Sequence, residues 1–376
     1  MQKRARRLWE KAQSEALKAE WLWTAPNPRV GAIALRGGHV VGRGFHHHWG
    51  GPHAEEMALR DAGAWDQKME RPIPGLVDEM VVTLEPCSSQ GKRPPCVRLI
   101  QEAQIKSVIV GALDPNPEHQ GAGLAALKKS GVQLTALATE TDFGLQNPSF
   151  LRSLQNPKRP WVYLKWASTV DGKLAAASGQ SQWISGPESR AEVHQLRANA
   201  DAVMVGKGTL KVDRPSLTAR TGGPAEDPQP WRVLFDPPAS EKALSGIMGA
   251  PSPIIWICDS SKPLQPWLRA HDEILITPRQ SEGGLDLKSA LAGLKGQFQI
   301  QKLMVEGGPR LHGEFLALGM VDAVVRYEAP ILLGGAISAC LGKSFHSPGD
   351  ALVLSNPCQR TLGQDQRTAW CVPPLA

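Results

Sequence analysis

The sequence predicts an α/β protein built as two domains, and three observations carry that expectation. A chain of 376 residues suits two domains of ordinary size, each able to bury its own core. Apolar runs of strand length alternate with stretches of helical composition, the pattern of layered sheet-and-helix folds. A polar stretch at 147–160, holding Pro148, Pro157 and Pro160, interrupts the alternation and places the domain boundary. The first domain is expected over 1–146 and the second over 158–376.

Residues 3–22 have helical composition, with Leu8, Ala12, Leu17 and Trp21 roughly on one face. Strands follow at 30–35 and 39–45, joined by a turn at Arg36-Gly37-Gly38. Pro52-His53-Ala54-Glu55 opens a helix running through Arg60, since proline suits the start of a helix. A short apolar strand at 80–84 precedes a helix at 96–103 opened by Pro94-Pro95. Then come a strand at 107–113, a helix at 123–129 and a strand at 132–138. Beyond the boundary, strands are expected at 161–167, 202–205, 231–236, 254–258, 273–277, 302–306 and 323–327. Helices fill 188–198, 287–294 and 312–318, and 221–230 reads as a surface loop.

Composition narrows the class. Hydrophobic content of 41% and charged content of 21% are those of a soluble globular protein, and no apolar run approaches the roughly 20 residues of a membrane span. The basic start leads into Leu8-Trp9-Glu10-Lys11 rather than an apolar core, which argues against a secretory signal. Six cysteines are too few for a disulfide scaffold in a chain this long. Cys258, Cys340, Cys358 and Cys371 show no ligand spacing and read as buried or incidental thiols of a cytoplasmic protein. A net charge of +6 suits anionic small molecules and points to neither nucleic acid nor membrane.

The chemistry-bearing residues lie at His53-Ala54-Glu55, Glu85-Pro86-Cys87 and Pro95-Cys96. They offer one imidazole, two thiolates and one carboxylate that need not bind metal. Zinc held by three protein ligands keeps a position for water, which marks a catalytic site, and it lowers the pKa of that water. Glu55 then shuttles protons, as in zinc deaminases acting on amino-substituted rings. The first turn of a helix lets His53 and Glu55 reach one metal, and a helix start favours the Cys96 thiolate. A structural zinc would need a fourth ligand, for which His46, His47 and His48 are candidates; otherwise they read as polar surface at a strand end with one member touching substrate. The spacing departs from the usual Cys-x-x-Cys, because eight residues separate Cys87 from Cys96.

The motifs Thr24-Ala25-Pro26-Asn27-Pro28-Arg29-Val30-Gly31, Pro52-His53-Ala54-Glu55 and Thr83-Leu84-Glu85-Pro86-Cys87-Ser88 carry a closer likeness. So do Gly91-Lys92, Pro94-Pro95-Cys96 and Asp114-Pro115-Asn116-Pro117. Together they resemble the deaminase half of the bifunctional riboflavin-biosynthesis deaminase/reductase family, which shares the long cysteine spacing. The resemblance implies a cytidine-deaminase-like three-layer domain. It implies a diaminopyrimidinone substrate bearing a ribose 5-phosphate, lined by Asn27, His46, Lys92, Asp114 and Asn116. Plain turn chemistry is the other reading of the Asn-Pro pairs. Ser89 and Gln90 stand where the family usually has histidine, which touches substrate affinity rather than zinc.

Leu164-Lys165-Trp166-Ala167, Ser178-Gly179-Gln180-Ser181-Gln182-Trp183, Leu196-Arg197, Asp213-Arg214-Pro215 and Val305-Glu306-Gly307-Gly308-Pro309 resemble the reductase half of that family. The fold implied is like dihydrofolate reductase, and the sequence agrees in having no Gly-x-Gly-x-x-Gly after its first strand. Glu306-Gly307-Gly308 closes a strand before a helix, a place where backbone N–H groups can approach a phosphate. Planar donor forks suit Arg197 and Arg220 to phosphate. By resemblance, Ser181, Arg197, Leu217, Arg220 and Glu306 contact the sugar phosphate, while Ala167, Trp183, Thr209, Asp213 and Gly308 contact NADPH. Trp183 and the other tryptophans otherwise read as packing residues.

The expectation is therefore a bifunctional enzyme, assembled as a homo-oligomer, that uses Zn2+ to deaminate the ring and NADPH to reduce the ribosyl group to ribityl. A nucleic-acid or free-nucleoside deaminase would leave the second domain's motifs without a role. A reductase whose first domain is inactive, or only a structural zinc module, is the alternative that Ser89 and Gln90 keep open.

Overall fold

Helix α1 (Gln2–Ala16) forms because Ala5, Leu8, Trp9 and Ala12 recur at helical spacing and bury one stripe. It stops earlier than expected: Leu17 is exposed, Glu20 is extended, and Trp21 begins a separate short helix, α2 (Trp21–Thr24). The computed structural model describes residues 2–222, 229–238, 240–261, 267–281, 283–335, 337–342 and 346–374. Most of the loop expected at 221–230 lies outside the described residues. The chain divides into two units, Met1–Leu154 and Gln155–Ala376.

In the first unit, β1 (Gly31–Arg36) and β2 (His39–Phe45) form a hairpin whose turn residues Gly37 and Gly38 both have positive φ. That conformation matches the twist of paired strands and costs glycine little. Helix α3 (Ala54–Asp61) follows, then a two-residue pair, β3 (Trp65–Asp66) and β4 (Arg71–Pro72). Strand β5 (Glu79–Leu84), helix α4 (Cys96–Glu102), strand β6 (Ser107–Ala112), helix α5 (Ala122–Lys129) and strand β7 (Gln133–Ala136) complete a sheet ordered β2-β1-β5-β6-β7. The pairs β2-β1 and β1-β5 are antiparallel, the rest parallel.

Side-chain alternation on β1 builds three layers. Ile33 and Leu35 face α1 with Val81 and Ile109. Ala32 and Ala34 face the other way, with Ala58, Leu59, Ile100 and Leu127 of the opposite helices. Helix α3 seats directly on β2, where a Cβ at Gly44 would stand 2.3 Å from the Ala58 nitrogen and 2.4 Å from the Ala54 oxygen. After α6 (Glu140–Gln146), the stretch expected as a break at 147–160 opens with a further helix, α7 (Pro148–Leu154). Pro148 begins its helix, where a missing N–H leaves no partner unsatisfied, so it starts the helix rather than breaking one.

The second unit is one nine-stranded sheet flanked by helices. Strand β8 (Trp161–Thr169), helix α8 (Pro187–Ala198), strand β9 (Ala202–Gly206), helix α9 (Lys207–Val212) and strand β10 (Trp231–Phe235) come first. Helix α10 (Glu241–Met248), strands β11 (Ile254–Cys258) and β12 (Glu273–Ile276), helix α11 (Leu287–Phe298) and strand β13 (Lys302–Val305) follow. Helix α12 (Pro309–Ala317), strand β14 (Ala323–Ala329) and the hairpin β15 (Ser355–Leu362) and β16 (Asp365–Cys371) end the unit.

The order is β12-β11-β10-β9-β13-β8-β14-β16-β15, parallel from β12 to β14 and antiparallel through β16 and β15. Fully buried Val162, Leu164, Met204, Val233, Ile255 and Val305 form the core face against Leu291, Leu294 and Phe315. Chain progress runs outward from β9 to β12, then returns to insert β13 between β9 and β8. Open α/β sheets bind ligands at such a reversal, beyond the carboxyl ends of the strands. No helix among the described residues is long and apolar enough to cross a membrane.

Gly44→Ala tests the seating of α3. Overpacking costs roughly 1–3 kcal/mol, and a lowered urea midpoint is the expected result. An unchanged midpoint would mean that the backbone contact does not constrain the helix.

Candidate active sites

In the first unit two helix starts converge. His53 is the extended N-cap of α3, Glu55 lies in that helix's first turn, and Cys96 is the first residue of α4 after the N-cap Pro95. His53 Nδ1 stands 3.2 Å from Cys96 Sγ and 3.6 Å from Cys87 Sγ, and the three candidate ligand atoms lie within 4.8 Å of one another. A tetrahedral zinc with ordinary bond lengths separates its nitrogen and sulfur ligands by about 3.6 Å, so the donor set fits the ion. The Cys96 thiol's hydrogen bond holds Cys87 down to about 4 against burial, with His53 adding to it. The same bond and burial push Cys96 well up. One thiol of the pair thus ionises readily, and a dication bound there displaces the other proton.

Glu55 is 3% exposed, and its pKa is raised, first by burial and then by the Cys87 charge. No further histidine, cysteine or carboxylate joins the three ligands among the described residues. The histidine run supplies none, and His46 is buried rather than polar surface. Its Nδ1 lies 2.9 Å from the Pro52 oxygen, which can only accept, so Nδ1 carries the proton and Nε2 accepts from Asn27 Nδ2 at 3.4 Å. Burial, then the nearby His53, lowers its pKa to about 3, so the ring is neutral. His47 stacks on Phe45, and His48 Nδ1 lies 3.2 Å from the Trp49 oxygen.

Two anchors that sequence reasoning missed hold the cysteines in place. Buried Glu85 accepts backbone N–H groups from Gly123 at 2.8 Å, Gly121 at 2.9 Å, and Asp114 and Leu124 at 3.2 Å. It thereby caps α5 and fixes the strand end that delivers Cys87. Buried Glu56 takes two bonds of 2.8 Å from Arg93 and pairs with Arg60 at 2.7 Å. That ties the long Cys87–Cys96 connection to α3. Gln90 donates to Gly91 and Arg93 carbonyls within this loop.

The other residues expected around the ring are present with mixed roles. Exposed Lys92 holds its Nζ 4.6 Å over the Trp49 ring. Burial raises the Asp114 pKa, and its Oδ1 accepts from Asn116 N at 2.9 Å. Asn116 in turn accepts from Glu118 N at 3.1 Å, so its side chain also does plain turn work.

The second unit holds a cleft at the carboxyl ends of β8, β13 and β9. Every residue expected around sugar phosphate or cofactor lines it: Ala167, Ser181, Trp183, Arg197, Thr209, Asp213, Leu217, Arg220, Glu306 and Gly308. Ser181 Oγ donates to Asp213 at 2.8 Å. Arg197 makes a two-pronged pair with Glu306, at 2.5 Å and 3.1 Å. Burial would raise the Glu306 pKa, but Arg197 and Lys165 outweigh it and hold it down to about 2. Gly308 caps α12, and a Cβ there would meet Thr209 at 3.4 Å. Trp183 is 69% exposed, so it is not the packing residue expected of tryptophan; Arg190 lies 4.6 Å over its ring.

Sequence reasoning assigned no role to two further residues of this cleft. Lys165 places Nζ 3.5 Å from Glu306, with its pKa lowered by burial. His194 lies one helical turn before Arg197 on α8. The alternation that located β8 and α8 carried no sign of which polar side chains would meet across the strand ends.

Comparison with known proteins follows the same division. Residues 2–112 match the cytidine and deoxycytidylate deaminase zinc-binding region, and residues 160–362 match the RibD C-terminal domain. The chain is 39% identical over 348 residues to riboflavin biosynthesis protein RibD of Aquifex aeolicus (strain VF5), covering 91% of this chain and 92% of that one. To the protein of that name from Escherichia coli (strain K12) it is 34% identical, over 83% and 84% of the two chains. The solved Acinetobacter baumannii RibD, form 1, superposes with TM-score 0.71 at 30% identity over 100% of both chains. A Thermotoga maritima structure, described as a diaminohydroxyphosphoribosylaminopyrimidine deaminase/5-amino-6-(5-phosphoribosylamino)uracil reductase, gives TM-score 0.68 at 29% identity over 99% of both.

The metal centre has a direct test. A Cys87→Ser, Cys96→Ser double variant is expected to retain no stoichiometric zinc by elemental analysis, against one ion per wild-type chain. Full occupancy in the variant would place the ion elsewhere.

Proposed function

The chain belongs to the family of riboflavin biosynthesis protein RibD, a deaminase joined to a reductase, and from that premise we propose how its residues divide the two reactions. The first unit hydrolyses the ring amine of the diaminopyrimidinone ribose 5-phosphate. The second reduces the ribosyl group of the resulting uracil to ribityl. The single observation that carries the reading is the buried Glu55 carboxyl beside a three-ligand His53, Cys87 and Cys96 set with no fourth protein ligand among the described residues.

Zinc bound there supplies a water of lowered pKa. Glu55 takes a proton from the attacking water and hands it to the departing amine; a carboxyl whose pKa is raised by burial is suited to both halves of that transfer. Asn27, oriented by the neutral His46 acceptor, and Asp114 and Asn116 line the ring, while Lys92 meets the phosphate from the loop beside it.

NADPH bound in the cleft would supply a hydride for C1 of the open-chain imine. Ala167, Trp183, Thr209, Asp213 and Gly308 hold the cofactor, with the α12 N-terminus favouring its phosphates. Ser181, Arg197, Leu217, Arg220 and Glu306 line the side of the cleft that takes the sugar phosphate. The imine nitrogen also needs a proton, and Lys165 offers an ammonium whose pKa burial has lowered. The same reading makes it a cytoplasmic enzyme. The same proposal makes it a homo-oligomer acting on this small molecule, not on nucleic acid or a membrane.

Glu55→Gln keeps size but removes basicity. Ammonia release should fall by about 10²–10⁴-fold with zinc retained, because general acid–base help is typically worth that much. Near-normal turnover would remove Glu55 from the mechanism. Asp213→Ala should abolish cofactor oxidation with the deaminated substrate yet leave ammonia release intact. Loss of both in a folded variant would contradict two separable sites.

A further inference from the structure

Two arginines line the reductase cleft where the sugar phosphate is proposed to bind, and the structure treats their charges differently. Arg197 is engaged on both sides: its Nε and Nη2 meet the two Glu306 oxygens at 2.5 Å and 3.1 Å, and its Nη1 donates to the Thr218 oxygen at 3.1 Å. Glu306 cancels its charge, and the geometry leaves few of its donors for a ligand. Arg220 is exposed and has no carboxylate partner among the described residues. What holds it is an imidazole, His194 Nε2, at 3.4 Å from Nε and 3.3 Å from Nη2.

The ring's state follows from its other nitrogen. His194 Nδ1 lies 3.1 Å from the Thr218 oxygen, which accepts only, so Nδ1 bears the proton. Nε2 is then a lone pair, and both Arg220 contacts run from guanidinium to ring. Burial, then Arg197 and Arg220, lowers the His194 pKa, in line with a neutral ring. His194 and Arg197 stand one turn apart on α8 and grip the same Thr218 carbonyl, so the helix clamps the 216–220 segment from which Arg220 projects.

An arginine meant for phosphate must be held in place without being neutralised. A carboxylate would orient it but cancel its charge; a neutral imidazole acceptor orients it and leaves the full charge for a dianion. We propose that His194 is a positioning residue that aims an uncompensated Arg220 at the substrate's 5-phosphate, while Arg197 serves chiefly to fix Glu306. The proposal rests on the reductase reading above and narrows it, because it divides two arginines that the family resemblance groups together.

The test uses the full chain with saturating NADPH, the deaminated phosphoribosylamino-uracil and its dephosphorylated analogue. His194→Leu should raise KM for the phosphorylated substrate by about tenfold, the scale of a weakened charged hydrogen bond. Its kcat, and its KM for the analogue, should stay within about twofold on the same scale. His194→Gln, whose amide oxygen can replace Nε2 as acceptor, should recover most of the loss. Arg220→Ala should abolish the preference for the phosphorylated substrate. Arg197→Ala should lower kcat and keep that preference. Equal KM rises for both substrates in His194→Leu, or no rise for either, would overturn the proposal. If His194→Leu does not fold, inhibition of a His194→Ala protein by inorganic phosphate decides: inhibition weakened as in Arg220→Ala supports the proposal, and inhibition at the wild-type level overturns it. A wild-type protein that reduces neither substrate would instead defeat the reductase reading itself.

Discussion

A histidine and two thiols can share one ion only if two helices begin within a few ångströms of each other, and this requirement organises the first unit. His53 and Cys96 each sit at the start of a helix, α3 and α4, on the same face of the sheet. Glycines on β2 let α3 descend until its backbone touches the strand. Glu85 gathers four N–H groups and so fixes the strand end that presents Cys87. The Glu56–Arg93 pair then holds the eight-residue connection that would otherwise let Cys96 drift from Cys87. Both anchors are buried carboxylates: losing Glu85 strands four backbone N–H groups, and losing Arg93 leaves Glu56 with Arg60 alone, so the site geometry and the stability of the unit are set by the same contacts.

The second unit meets a different constraint. Its cleft must bind anions, yet its floor is the carboxyl end of a parallel sheet carrying a buried carboxylate. Glu306 is tolerable there because Arg197 and Lys165 compensate it. That compensation uses up cations that a substrate phosphate could otherwise meet. In the proposed division of roles, the anion receptors are the groups whose charge is not cancelled: the α12 N-terminus behind Gly307 and Gly308, and Arg220 beyond the His194 ring.

Much of this was legible in the sequence. Strands such as β5, β9 and β13 are short continuous apolar runs bounded by turn residues, and the three candidate zinc ligands stand in local motifs whose helix starts are marked by proline. What was not legible depends on long-range meeting. Glu85 reads as part of a motif, but nothing local shows that its partners lie at 114–124. His194 and Lys165 read as ordinary helix and strand positions until the strand order brings β8, β13 and the 216–220 segment together. The hairpin β15–β16 escaped because its edge strand, β15, is polar and carries Pro357, and pairing with β16 overrides its weak propensity. Proline at 148 was misread because the same residue that ends helices also begins them.

The central claim is that zinc serves one of two chemically independent sites in this chain. Removing the ion with a chelator and assaying both half-reactions on the same preparation tests it most directly. The account predicts that the stripped protein releases no ammonia from the diamino substrate, regains that activity when zinc is restored, and reduces the already deaminated substrate at an unchanged rate throughout. Undiminished ammonia release without zinc, or reduction that falls and recovers together with it, would contradict the account.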